Sequence, residues 1–248
     1  MIILQWCKTQ ILCIMFLLYI SILFVRDRKL YSCNNKYTVT EKLFNVLLEV
    51  SLVAVLFDGI TICTINNLEY VPDSVNRPLH LGMFVAYEMY VTVIFLYWVS
   101  ATIGISKNRI MQCIYILPCL ISVILTTVFL PELKWLKGRY TYYSMGKSVY
   151  VSFACIIVYF IFTVCVIVCK HRYIPRRKKK ILMTTLVFLI IILTLEVVFK
   201  ESLVSCMAVA MATFSTYINM ENPAIKGLEH YQKEMVMGFS TLVENKDE

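Results

Sequence analysis

Long apolar runs dominate this sequence of 248 residues and constrain its fold more than any other feature. Runs of roughly 17–25 mostly apolar residues recur along the chain, and a run of that length crosses the hydrocarbon core of a bilayer as an α-helix. Strands do not fit, because an open sheet leaves its edge amides unpaired in lipid. Only 16% of the residues are charged, against about 25% in soluble domains. The sequence therefore predicts an all-α polytopic membrane protein.

Seven spans fit the hydropathy pattern, which predicts a seven-helix bundle over residues 1–220 with a C-terminal cytoplasmic linker helix over 221–248. The spans are 9–25, 43–65, 79–103, 110–130, 148–169, 181–199 and 203–219. Pro118 interrupts the fourth span, which membrane helices tolerate with a kink. The last two spans form a tight hairpin around Lys200–Ser202 and could also be read as one long helix, so a count of six stays open.

The distribution of basic residues predicts the orientation. Fourteen Lys and Arg residues lie in the connections after spans one, three and five, and seven lie on the opposite side. Basic loops stay in the cytoplasm, so the N-terminus is predicted outside and the C-terminus inside, in the cell membrane. The run at 170–180, KHRYIPRRKKK, fits a membrane anchor that touches anionic lipid better than a nucleic-acid site.

The positions of the ten cysteines do not indicate a disulfide framework. Eight of them lie within or at the ends of apolar runs, where they behave as small apolar residues, and no Cys-x-x-Cys motif occurs. Cys7 and Cys33 lie outside the spans, on opposite sides of the predicted topology. We therefore expect these two not to pair.

The segment after the seventh span has the pattern of an amphipathic helix. Asn222 and Pro223 suit an N-cap and a first-turn proline. Apolar residues then recur at helical spacing, so the stripe needs a partner, and a homodimer through this helix is one expectation. The predicted signal-linker residues are Glu221, Asn222, Pro223, Leu228, Met235, Phe239 and Leu242.

Acidic residues inside the spans are the candidate site. Asp58, Glu88 and Glu196 come from three spans but reach similar depths in the outer half, and Tyr87 and Tyr90 flank Glu88. Intramembrane acids are costly and suggest function. Three interpretations stay open: acids that bond neighbouring polar groups and fix helix packing, an outward-facing pocket for an unknown small ligand, and a proton or ion path.

Catalytic residues are not predicted in this chain. Its three histidines lie in different segments, and no HExxH, P-loop, GxSxG or paired-carboxylate motif occurs. With neither a nucleophile–base pair nor a set of metal ligands, neither catalysis nor a cofactor is expected from these residues alone.

Two stretches resemble known signalling proteins. Residues 57–84, FDGITICTINNLEYVPDSVNRPLHLGMF, and the ENPA step at 221–224 resemble the seven-helix sensor module that precedes histidine kinase, diguanylate cyclase (GGDEF) or HD-GYP domains in Firmicutes. Residues 237–248, MGFSTLVENKDE, are similar to the first helix of an HD-GYP phosphodiesterase.

The resemblance implies a sensor that couples an outer or intramembrane cue to a cytoplasmic domain hydrolysing cyclic di-GMP. That domain would continue beyond Glu248 and would carry the divalent metal. The same module before a kinase or cyclase is the first alternative. A small-molecule transporter or channel is the second.

Overall fold

A computed structural model describes residues 7–31, 38–105, 108–138, 141–198 and 204–222. The described residues form an all-α fold with one small β-hairpin. The helices are α1 (Lys8–Tyr31), α2 (Val39–Ile65), α3 (Asp73–Thr102), α4 (Arg109–Phe129), α5 (Lys147–Cys169), α6 (Arg176–Val198) and α7 (Ser205–Thr216).

Six of these helices, α1 to α6, are long and apolar enough to cross a membrane, so the chain has the architecture of a multi-pass helical membrane protein. Helix α7 is shorter, at 12 residues, and continues as one π-helical turn over Tyr217–Glu221. The predicted linker helix, with Pro223, Leu228, Met235, Phe239 and Leu242, lies outside the described residues.

Local sequence explains where several helices begin. Thr38 caps α2 with a reciprocal capping box, in which its hydroxyl accepts from the Glu41 backbone and the Glu41 carboxylate accepts from the Thr38 N–H. Asn108 caps α4 by accepting from the Ile110 N–H at 3.0 Å. These caps satisfy amides that the first turn of a helix leaves unpaired.

Helices α1 and α3 extend furthest beyond the spans that the hydropathy pattern predicts. Helix α1 runs on to Tyr31 through the charged segment that was expected to follow it as a loop. Helix α3 begins at Asp73, so Pro78 lies inside a helix as well as Pro118. Hydropathy marks the part of a helix that lies in lipid, and it does not detect polar turns that continue the same helix towards water.

Helix α4 shows that the bundle is inverted relative to a soluble protein. Its buried residues are Tyr115, Cys119, Ser122 and Thr126, whereas Ile124 and Val128, each 62% exposed, point outwards. A soluble helix buries its apolar stripe. An apolar exterior over a core of small and hydroxyl-bearing residues is what a helix packed in lipid requires.

Helix α3 lies at the centre of the fold and packs against α2, α4 and α5, while α7 packs against α1, α2 and α6. The chain ends of these helices define two faces of the bundle. We call the hairpin face the end with the start of α1, the α2–α3 connection and the start of α7. The tail face is the opposite end, where the π turn lies.

The connection between α4 and α5 contains an antiparallel hairpin that the sequence pattern did not predict, with strands β1 (Lys134–Lys137) and β2 (Tyr142–Met145). Trp135 on β1 donates to the Asp73 carboxylate at 2.5 Å, and its ring lies 4.5 Å from that of His80. Asn66 at the end of α2 bonds Thr141. The hairpin is thus attached to the ends of both α2 and α3.

Candidate functional site

Asp58 is buried between α1 and α2 near the hairpin face. Its side chain is almost fully enclosed, with 4% of the residue exposed. Gln10 of α1 donates to the Asp58 carboxylate at 3.0 Å, whereas the Gln10 carbonyl oxygen is buried without a hydrogen-bond partner among the described residues. Gly59 lies beside this contact, and a Cβ there would meet the Gln10 Cβ at 3.5 Å, an ordinary van der Waals distance.

Two more of the predicted site residues lie beside Asp58. Glu196 near the end of α6 accepts a short hydrogen bond from Ser205 at the start of α7. The Tyr87 hydroxyl of α3 lies close to Asp58 and Ser205. It is buried and has no hydrogen-bond partner among the described residues. Gln10, Asp58, Tyr87, Glu196 and Ser205 form what we call the Asp58 cluster.

Glu88 lies in a different cluster, on another face of α3. It is fully buried, and its Oε1 accepts from Thr126 of α4 at 2.9 Å and from Ser152 of α5 at 2.8 Å. Its Oε2 has no hydrogen-bond partner in the described part of the chain, and neither does the buried hydroxyl of Ser122. We call these four residues the Glu88 cluster.

The three acids therefore do not line one pocket. Asp58 and Glu196 share a cluster, whereas Glu88 binds two other helices. The reason is helical geometry, since consecutive residues on a helix point about 100° apart. Tyr87 and Glu88 are neighbours in sequence but face different partners.

Tyr90 connects α3 to α7 rather than to the acids. Its hydroxyl donates to the backbone carbonyl of Val209 at 3.1 Å and lies 3.3 Å from the Thr213 hydroxyl. Thr213 in turn lies 3.1 Å from the hydroxyl of Ser51 on α2. These bonds fix the middle of α7 against α2 and α3.

A third set of polar contacts holds the last part of α7 at the tail face. Tyr97 donates to the carboxylate of Glu221 at 2.8 Å, and Tyr217 donates to that of Asp27 at 2.5 Å. Trp98 donates to the Thr216 hydroxyl at 3.4 Å. We call these six residues the exit cluster. Of the predicted signal-linker residues, Glu221 lies in this cluster, and the Asn222 N–H bonds the Tyr217 carbonyl at 2.9 Å.

Several of these residues were missed by sequence reasoning. Asp27 lies between two arginines in a charged segment, a pattern typical of a solvated flank, but it is on α1 and only 9% exposed. The hydrogen-bond partners of Glu88 carry a weak signal in the sequence. Serine, threonine and cysteine recur at helical spacing along α4 and α5, and those residues line the buried faces of both helices.

The cavity found among the described residues is small and lies away from the acids. One cavity of about 10 Å³ lies between α3, α5 and α6 and is lined by Phe95, Trp98 and Leu182 among others. A cavity of that size holds about one water molecule. It is lined mainly by apolar side chains and lies away from Asp58, Glu88 and Glu196.

Metal binding also finds no support within the described ranges. No group of three or more His, Cys, Asp or Glu side chains converges there. His80 packs against Trp135, and its Nδ1 lies 3.0 Å from the Asn76 carbonyl oxygen. The buried polar contacts hold the helices of the bundle together.

Comparison of the sequence with protein-family models and with curated proteins gives no match.

Proposed function

We propose that the chain is a membrane-embedded sensory module. It couples a cue at the outer surface or within the bilayer to a cytoplasmic output domain, of which the HD-GYP-type cyclic di-GMP phosphodiesterase is the leading candidate. The observation that carries this proposal is the position of α7. Its first residue bonds Glu196 in the Asp58 cluster, and the turn that follows its last residue bonds Tyr97 and Asp27 in the exit cluster.

Helix α7 thus joins a buried polar cluster at the hairpin face to the start of the C-terminal segment. A ligand can change the conformation only if it binds two helix arrangements with different affinity. A cue that disturbs the Asp58 cluster would shift or rotate α7. Because α7 leads into residues 221–248, the same movement would turn the Leu228–Leu242 stripe and whatever domain follows it.

The proposal includes seven spans, with the N-terminus outside and the C-terminus in the cytoplasm. Residues Ser205–Glu221 cover about 17 positions, the lower limit for crossing a bilayer as a helix. The excess of basic residues on the tail face supports the orientation. A reporter that is active only in the cytoplasm, fused after Glu248, should be active, and activity of only a periplasmic-type reporter there would favour six spans.

A homodimer through the C-terminal stripe is part of the same proposal. The stripe consists of apolar residues at helical spacing, and the helix that carries it cannot bury these residues by itself. A helix of this length is only marginally stable in isolation. A cysteine at Met235 in a background without native cysteines should cross-link two chains in membranes. If no position between Leu228 and Leu242 cross-links, the dimer is excluded.

The output domain is supported by the resemblance of residues 237–248 alone. The decisive experiment is to recover the full reading frame and to measure cyclic di-GMP hydrolysis in membranes. Asp58→Asn and Glu196→Gln should alter regulation without loss of folding. Glu49→Gln is the matched control, because Glu49 is an exposed acid on α2 that bonds Asn45 of the same helix.

Each alternative predicts a different result in this experiment. A kinase or cyclase domain in the frame would contradict the phosphodiesterase assignment but keep the sensory role. If Asp58→Asn, Glu88→Gln and Glu196→Gln all behave like the parent, the acids act in packing only. Uptake or current in vesicles containing this chain alone would instead support a transporter or channel.

A further inference from the structure

Two cysteines that are far apart along the chain are in contact at the hairpin face. Cys7, at the start of α1, and Cys63, in the last turn of α2, have their sulfur atoms 3.0 Å apart. The Cys7 sulfur also lies 3.5 Å from the Gly59 carbonyl oxygen. We propose that Cys7 and Cys63 form a disulfide bond that ties the start of α1 to the end of α2.

The contact needs only a small adjustment to become a bond. Two sulfur atoms in a disulfide are about 2.03–2.05 Å apart, so the thiols must approach by about 1 Å. Cys7 directly precedes α1 and Cys63 is on α2, and these two helices are joined nearby by the Gln10–Asp58 hydrogen bond. The pairing therefore does not require the helices to rearrange.

The compartment favours oxidation if the orientation proposed above is correct, and the inference rests on that orientation. With the N-terminus outside, both thiols lie at the extracytoplasmic end of the bundle, where disulfides form and persist. Only 8% of Cys7 is exposed, whereas Cys63 is half-buried. Cys63 is therefore the thiol that an oxidant reaches first.

The reaction balances with the disulfide of an extracytoplasmic thiol oxidase as oxidant. The Cys63 thiolate attacks that disulfide and forms a mixed disulfide, which releases one oxidase thiolate. The Cys7 thiolate then attacks the Cys63 sulfur and releases the second. The two substrate thiols lose two protons and two electrons, and the oxidase disulfide becomes a dithiol.

A second pair provides an internal control. Cys13 on α1 and Cys206 on α7 also interact, but both are buried, at 7% and 0% exposed, so this pair has no thiol as accessible as that of the half-buried Cys63. Because no oxidase can reach them there, this pair should stay reduced. An oxidised Cys7–Cys63 pair beside a reduced Cys13–Cys206 pair is the expected pattern.

The bond would change how the Asp58 cluster responds. Gln10 is one turn after Cys7, and Asp58 is little more than one turn before Cys63, so the disulfide would close a short ring around the Gln10–Asp58 hydrogen bond. With the bond formed, α1 cannot separate from α2 at this end. With it reduced, the two helices are held there by noncovalent contacts.

The test counts thiols in the full chain expressed in bacterial membranes. Free thiols are first blocked with N-ethylmaleimide, the protein is then reduced, and newly freed thiols are labelled with a maleimide–polyethylene glycol that retards migration. We expect two labels per chain. They should be absent from Cys7→Ser and Cys63→Ser but retained in Cys13→Ser and Cys33→Ser.

A parallel sample is treated with copper–phenanthroline before blocking, which separates the two ways of failing. If two labels appear only after this oxidant, the two thiols can pair but are reduced in the cell. That result refutes the native disulfide, and the proposed orientation fails with it. If Cys7 and Cys63 are not joined even after the oxidant, the contact itself is refuted and the orientation is unaffected. Two labels that persist in Cys63→Ser would also overturn the assignment.

Discussion

Replacing Thr126 with valine tests whether Glu88 is held by the hydroxyl groups of its neighbours. The substitution removes one of the two donors to Glu88 Oε1, at 2.9 Å, and leaves Ser152 at 2.8 Å. A hydrogen bond to a charged group contributes about 1.5–3 kcal/mol in water-soluble proteins, whereas side-chain pairs in membrane proteins average roughly 0.6 and reach about 1.7 kcal/mol. We expect Thr126→Val to lower the free energy of unfolding by about 1 kcal/mol.

The double variant Thr126→Val with Ser152→Ala should cost more than the sum of its parts. Both donors to Oε1 would be gone, and Oε2 already has no hydrogen-bond partner in the described part of the chain. A buried carboxyl group without partners bears its full desolvation cost, and residues in one network couple by about 0.5–3 kcal/mol. Adding Glu88→Met to the double variant should restore most of the loss, because it removes the polar group itself.

Unfolding is followed by tryptophan fluorescence and circular dichroism during SDS titration in mixed micelles. Thr127→Val is the matched control, since that hydroxyl is exposed and bonds the Val123 carbonyl of its own helix. The reasoning is refuted if Thr127→Val costs as much as Thr126→Val. It is also refuted if Glu88→Met does not rescue the double variant.

Two further substitutions test the packing around α3. Gly82→Ala should destabilise the fold by about 1–3 kcal/mol, because its Cβ would lie 2.6 Å from the Phe57 ring. Phe57→Leu should relieve this clash. Gly59→Ala should be tolerated in the same titration, because the nearest atom to its Cβ would be 3.5 Å away. Tyr97→Phe should speed hydrogen exchange in the π turn after α7. The control Tyr159→Phe, which loses an equally buried bond to a backbone carbonyl, should leave exchange in that turn unchanged. Equal exchange in both variants would contradict a role for Tyr97 in fixing the π turn.

The buried acids show what a sequence pattern can and cannot predict about a site. Asp58, Glu88 and Glu196 stand out because charges inside apolar runs are rare and costly, and the structure places each of them against polar partners. Their grouping could not be predicted, because depth along a helix does not determine direction around it. The partners Gln10 and Ser152 come from helices distant in sequence, and nothing in the linear pattern pairs them with Asp58 and Glu88.

The sequence by itself determined that the chain forms long apolar helices, because unpaired backbone amides cannot be left in lipid and only helices satisfy them segment by segment. Tertiary structure decided which faces of those helices meet. It separated Tyr87 from Glu88, brought Cys7 to Cys63 and placed Asp27 against Tyr217 at the end of α7. Lipid solvates the apolar faces of all helices equally, so the choice among them falls to a few buried polar and small residues, whose partners appear only when the helices are packed.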